Sequence, residues 1–250
     1  MMTLYSYTFS FPQISFLLLT AFLIGMAKTG IQGISMFVVP VMAMIFGGRE
    51  STGVMLPMLI MADICAVIYY HRHAEWTFLV KLFPSSALGV IAGTWLGGAI
   101  DDQVFRALMA AIVLVSLVLM LWMEKRDSHT IPDFWWFALL MGFLGGFTTM
   151  VGNLAGTIMA LYLLSMRLPK NTYIGTGAWF FLLINLFKVP FHVFSWETIH
   201  LNSFLINLTL LPMIALGAWA GVKLVKRIGD THYRWFVIGM TLIAAILMLV

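Results

Sequence analysis

Four polar residues interrupt otherwise apolar stretches and could do chemistry together: Lys28, Asp63, Asn185 and Lys188. A charge at membrane depth costs at least about 2.5–3.5 kcal/mol on insertion scales, so each needs a partner or a task. Asn185 and Lys188 stand three apart and therefore share a helix face, which Phe181 and Ile184 extend toward the preceding turns. An amide beside an ammonium is a donor-rich surface suited to an anion. Alternatively, Lys188 lies near its helix end and snorkels to the interface. Asp63 could carry a coupling proton, or it could be the permanent ion-pair partner of Lys28 or Lys188.

Lys28 belongs to the first of two breaks in apolar sequence, Lys28-Thr29-Gly30-Ile31-Gln32-Gly33. The second is Gly152-Asn153-Leu154-Ala155-Gly156, just after Thr148-Thr149. Unwound backbone in a membrane exposes N–H and C=O groups that hydrocarbon cannot satisfy. Such breaks survive only inside protein or against a hydrophilic cavity. Paired breaks at corresponding places are the best sequence pointer to a transporter's binding site. A helix starting after Lys28 would add free N–H groups and the positive end of its dipole. Gly30 and Gly33 allow close ligand approach, and Thr148, Thr149, Asn153 and Thr157 bring hydroxyls and an amide to the second break. The alternative is tight helix packing through small residues, although packing alone does not explain a lysine.

The elements that hold these groups must be membrane helices. The chain is 62% hydrophobic and 10% charged, with a mean hydropathy of +0.99. That balance excludes a soluble domain. Ten apolar segments cover 13–27, 34–47, 53–70, 77–99, 104–123, 134–150, 155–166, 172–190, 200–222 and 233–250. A span needs about 20 residues. Segments one, two and seven are short, so one with two, and six with seven, are expected to form broken or re-entrant hairpins bent at the breaks, their tips near the midplane.

Loop charges set an expected orientation. His71, Arg72 and His73, then Lys125 and Arg126, Arg167 and Lys170, and Lys223, Lys226 and Arg227 follow odd-numbered segments. By the positive-inside rule those loops are cytoplasmic and both termini face outside, in the cell's inner (plasma) membrane. Asp101, Asp102 and Glu197 occupy the intervening loops, with Arg49 and Arg106 nearby.

The halves resemble each other. Gly93-Thr94-Trp95-Leu96-Gly97 matches Gly217-Ala218-Trp219-Ala220-Gly221. Asp102-Gln103-Val104-Phe105-Arg106 matches Asp230-Thr231-His232-Tyr233-Arg234, and Asp63 aligns with Asn185. Five apolar segments per half is an odd number, so a duplicated unit inserts in opposite directions. The expected fold is an all-α polytopic membrane protein of two inverted repeats, residues 1–127 and 128–250.

Other chemistry finds no support. There is no Ser/His/Asp spacing, metal-binding Cys/His cluster or phosphate loop. His192 and His200 are too far apart for one helical turn. Cys65 is the sole cysteine and reads as core packing. No enzyme activity, cofactor, metal or nucleic-acid partner is expected. Gly89, Gly93, Gly97 and Gly98 could pack internally or against a second copy in a homodimer.

The runs Gly25-Met26-Ala27-Lys28-Thr29-Gly30-Ile31-Gln32-Gly33, Arg49-Glu50-Ser51-Thr52-Gly53 and Leu56-Pro57 resemble the first repeat of the sulfite exporter TauE/SafE family. Gly146 to Gly156, Tyr162-Leu163-Leu164, Gly175-Thr176 and Asn185 to Pro190 resemble its second repeat. The resemblance covers nearly the whole chain. It implies a membrane permease for small anions such as sulfite or organosulfonates. On it, Lys28, Asn153, Asn185 and Lys188 line the path. By the reading of the breaks themselves, Gly30, Gly33, Thr148, Thr149 and Gly152 add donors, and Asp63 balances charge or carries a proton. An anion channel and a non-transporting membrane scaffold remain as alternatives.

Overall fold

A computed structural model of the chain describes residues 2–4, 7–31, 35–124, 135–229, 232–233 and 235–236. Gln32, Gly33, Lys125, Arg126 and nearly all of the tenth apolar segment lie outside the described residues, as does the side chain of Thr157. The helices are α1 (Phe11–Lys28), α2 (Ser35–Phe46), α3 (Gly48–Tyr70), α4 (Trp76–Ala99), α5 (Asp102–Glu124), α6 (Trp135–Gly152), α7 (Ala155–Ser165), α8 (Lys170–Pro190) and α9 (Leu201–Lys226). Among the described residues six helices are long and apolar enough to cross a membrane, namely α1, α3, α4, α6, α8 and α9. The fold is that of a helical polytopic membrane protein. One element has no counterpart in the apolar pattern: strands β1 (Met2–Leu4) and β2 (Tyr7–Phe9) pair as an antiparallel ribbon.

Helix α3 starts five residues before its apolar segment, because its first turn is capped from another helix. The Asp102 carboxylate at the start of α5 accepts the backbone N–H groups of Gly48 (3.3 Å) and Arg49 (3.0 Å). A carboxylate there satisfies orphan donors and suits the positive end of the helix. Arg49 and Glu50 are thereby helical rather than loop residues.

Packing direction follows from the close approaches of glycines. Gly25 of α1 lies under the Ile214 carbonyl of α9, and Gly217 of α9 under the Phe22 carbonyl; Gly221, one turn beyond Gly217, meets Met26, one turn beyond Phe22, so α1 and α9 run parallel. Gly146 of α6 lies under the Ser86 carbonyl of α4, and Gly89 of α4 under the Phe143 carbonyl; Gly142, one turn before Gly146, meets the Leu82 carbonyl, one turn before Ser86, so these two also run parallel. A Cβ at Gly25, Gly217, Gly146 or Gly89 would overlap backbone. The two contacts are the same contact with the partners exchanged. Phe22 and Phe143, like Gly25 and Gly146, stand 121 residues apart; Ser86 and Ile214, like Gly89 and Gly217, stand 128 apart. Helices α3 and α8 are antiparallel at the centre. Gly53 lies against Thr198, Asp63 meets Asn185, and Gly175 lies against Tyr70 and His73.

Helices α2 and α7 hold 12 and 11 residues, about 18 and 17 Å at 1.5 Å per residue, too short to cross. Each folds back along the helix before it. Phe9, just ahead of α1, packs edge-on against Phe46 at the end of α2. Phe137 near the start of α6 packs on Tyr162 near the end of α7. The bundle therefore has a ribbon face, carrying β1–β2 and the starts of α1, α3 and α9. Its other, basic face carries the starts of α4, α6 and α8 and the residues Arg72, Arg167, Lys226 and Arg227.

The hairpin tips reach further than a midplane meeting. Gly30 lies against Val225 and Ile174, and its carbonyl accepts the Tyr233 hydroxyl at 2.6 Å, all toward the basic face. Asn153 donates to the Thr52 carbonyl (3.1 Å), four residues into α3 from the ribbon face. The long first arms, α1 and α6, explain this: each has 18 residues, about 27 Å.

Candidate functional site

Helix α1 ends at Lys28, where Gly30 takes φ 131°, a conformation that favours glycine. Helix α6 ends at Asn153, with φ 56°, and asparagine is among the side chains that tolerate this region. Both ends project a polar side chain onto the central α3/α8 pair.

From the first tip, Lys28 Nζ forms an ion pair with Asp63 Oδ1 at 3.0 Å and lies 3.9 Å from the centre of the Phe181 ring. Asn185 Nδ2 donates to the other oxygen, Asp63 Oδ2, at 2.7 Å. The carboxylate is thus engaged at both oxygens and fully buried. Of the two lysines, the one that pairs with Asp63 is Lys28.

From the second tip come the acceptors of Lys188. Its ammonium donates to the Thr149 carbonyl (2.7 Å) and Oγ1 (3.2 Å), Asn153 Oδ1 (2.5 Å) and Asn185 Oδ1 (3.4 Å). Lys188 is fully buried, so it does not snorkel; its stem turns inward. No carboxylate pairs with it among the described residues. The cluster of Lys28, Asp63 and Lys188 therefore holds one excess positive charge, surrounded by neutral oxygens.

A cavity adjoins this cluster. Lys28, Thr149, Asn153 and Asn185 form its polar side, and Leu59, Ala178 and Phe181 contribute to its apolar side. Its volume is about 20 Å³, room for about one water rather than an oxoanion. In this conformation the site is undersized for an oxoanion.

Other residues expected at the site stand beside it. Thr148 is buried, but its hydroxyl donates back to Leu144 (2.8 Å) and Gly145 (3.3 Å) of its own helix. Gly152 packs under Leu154 and near Met109. Gly30 shapes the first tip, and Gly33 lies outside the described residues. Sequence reasoning missed Gly177 and Ala178 on the cavity wall. They continue the Phe181, Asn185 and Lys188 stripe backward by helical spacing, and that extension would have found them.

A family model described as Sulfite exporter TauE/SafE matches residues 17–248. No curated protein and no solved structure matches. With six helices long and apolar enough to cross a membrane among the described residues, the chain is a multi-pass membrane protein, and it belongs to the TauE/SafE sulfite exporter family, a family of membrane transporters.

Proposed function

We propose that this chain is a secondary transporter of small anions, sulfite or organosulfonates, working by alternating access. The observation that carries this reading is the buried Lys188 ammonium held only by neutral oxygens where a hairpin tip meets the central helices. A monoanion there would neutralise the excess charge and take donors from Lys188, Lys28 and Asn185. Charged groups buried without a counter-charge are costly, so binding gains by supplying one.

Lys28, Asn153, Thr149, Asn185 and Lys188 are the proposed substrate contacts. Gly30, Gly152 and Thr148, with Gly33, maintain the backbone breaks that present them, and Asp63 balances the charge of Lys28. The small cavity supports a carrier that must widen its site to take an anion over a channel with a standing pore. The exchanged-partner contacts of α1 with α9 and of α6 with α4 support two inverted repeats, one rocking against the other. By the positive-inside rule the basic face is cytoplasmic and the ribbon face external.

The test is sulfite and sulfoacetate flux into proteoliposomes, for wild type and Lys188→Ala. Saturable flux lost in the variant is the expected result. Equal flux in both would overturn the site, and flux without saturation would turn the reading to a channel.

A further inference from the structure

His192 is fully buried in the π-helical turn Phe191–Ser195 that ends α8, four residues beyond Lys188. Its Nδ1 lies 2.8 Å from Thr198 Oγ1, and its ring stands edge-on to Trp196 at 5.1 Å. Its Nε2 is buried and has no hydrogen-bond partner among the described residues. Buried polar atoms are rarely left so, and each calls for an explanation.

The ring pairs with Thr198 through Nδ1. In the tautomer in which Nδ1–H donates to Thr198 Oγ1, the neutral ring presents Nε2 as a bare lone pair, a proton acceptor. Asp63 is held by charge as well: Oδ2 accepts from Asn185, and Oδ1 is ion-paired with Lys28 at 3.0 Å.

Burial opposes a charge on that ring, and the neighbouring charges add to the opposition or relieve it. On its own helix stands Lys188, one turn back. Across the Trp196 ring stands Arg49 of α3, its guanidinium 6.0 Å from the ring centre. One more turn along α8, at Asn185, lies the neutral-sum pair Lys28–Asp63. The groups packed directly on the ring and its partner, Trp196, Thr198 and Gly53, are uncharged. In the empty site burial opposes a proton on Nε2 first, and Lys188 adds to that opposition. An anion at Lys188 removes the added part.

We propose that His192 takes up a proton when an anion occupies Lys188, so that anion and proton cross together. An N–H bond forms at Nε2 with a proton from water at the open face, and breaks to return it to water when the anion leaves. Anion binding and protonation favour each other by the same factor, as linkage requires. The ring also sits in a tightly packed corner between α3, α4 and α5. Trp196 Nε1 donates to the Thr94 carbonyl at 3.0 Å, its ring covers Gly97 and Phe105, and Thr198 is seated on Gly53.

This inference rests on the anion reading above, and one experiment separates them. The full chain is reconstituted with a pH dye inside the vesicles, and sulfoacetate flux, sulfoacetate exchange and proton movement are read together. The proteins compared are wild type, His192→Asn and Thr198→Val. Asn retains a donor for Thr198 without a titrating nitrogen. The expected result is that His192→Asn keeps anion exchange, which shows it folded, and loses anion-linked proton movement at least about tenfold. Thr198→Val keeps both activities and shifts the pH dependence of uptake. Proton movement per anion in His192→Asn equal to wild type overturns this inference alone. A wild type that moves no sulfoacetate and no sulfite overturns the anion reading, and this inference with it.

Discussion

Helices α3 and α8 cross antiparallel at the centre of the bundle and occupy matching places, yet they carry opposite chemistry. Asp63 and Asn185, 122 residues apart, face each other and share a hydrogen bond. One turn further, α3 has Ala66 where α8 has Lys188. The tips differ in the same way: the first offers Lys28 and the second the oxygens of Thr149 and Asn153. Similar backbone in the two halves supplies positions. Unequal side chains at those positions turn a nearly symmetric centre into one with a surplus positive charge.

The sharpest break of this comparison pits the two lysines against each other. Lys28 is matched by Asp63, whereas Lys188 is matched by neutral atoms. Lys188→Ala should therefore cut anion flux by about 100-fold or more while leaving a folded protein, because removing it strands no charge. Lys28→Ala leaves Asp63 buried and unpaired, and should cost about 3–5 kcal/mol of stability. Flux and thermal unfolding in detergent, measured on both variants, check the split. Equal destabilisation by the two would break it.

A smaller effect tests the α3/α8 equivalence itself. Asp63→Asn removes the carboxylate, and adding Asn185→Asp returns it within one hydrogen bond of the original place. The double variant should recover a measurable part, about 1–3 kcal/mol, of the stability lost in the single one. No recovery would mean that the two positions are not interchangeable to Lys28.

The glycine contacts sharpen the relation between the halves. Gly25→Val and Gly146→Val each push a side chain into a carbonyl of the partner helix. Each should destabilise by about 1–3 kcal/mol, and by similar amounts. The smallest expected effect lies at the first tip. Tyr233→Phe removes one hydrogen bond to the Gly30 carbonyl and should cost about 1 kcal/mol. A melting temperature unchanged from wild type would show that this bond does not hold the tip.

Much of the site is legible in the order of residues. Lys28, Asp63, Asn185 and Lys188 stand out because charge in apolar sequence is costly wherever it ends up, and all four converge. The breaks stand out for a similar reason, since glycine and polar runs cannot continue a lipid-facing helix. The start of α3 is not legible in this way, because Asp102 caps it from 53 residues away. Nor is the setting of His192, whose spacing from His200 says nothing; the partner that matters is Thr198.

Membrane residence, two broken hairpins, the surplus of positive charge and the likeness of the halves are properties of composition and order, and they follow from the chain's chemistry alone. Which lysine meets Asp63, the inward turn of Lys188, the reach of each tip to the far face and the orphaned nitrogen of His192 depend on the packed bundle. The physical reason is that apolar spacing fixes which residues are buried. The partner of a buried charge depends on the directions in which separate helices pack, and two lysines in apolar sequence look alike until those directions are known.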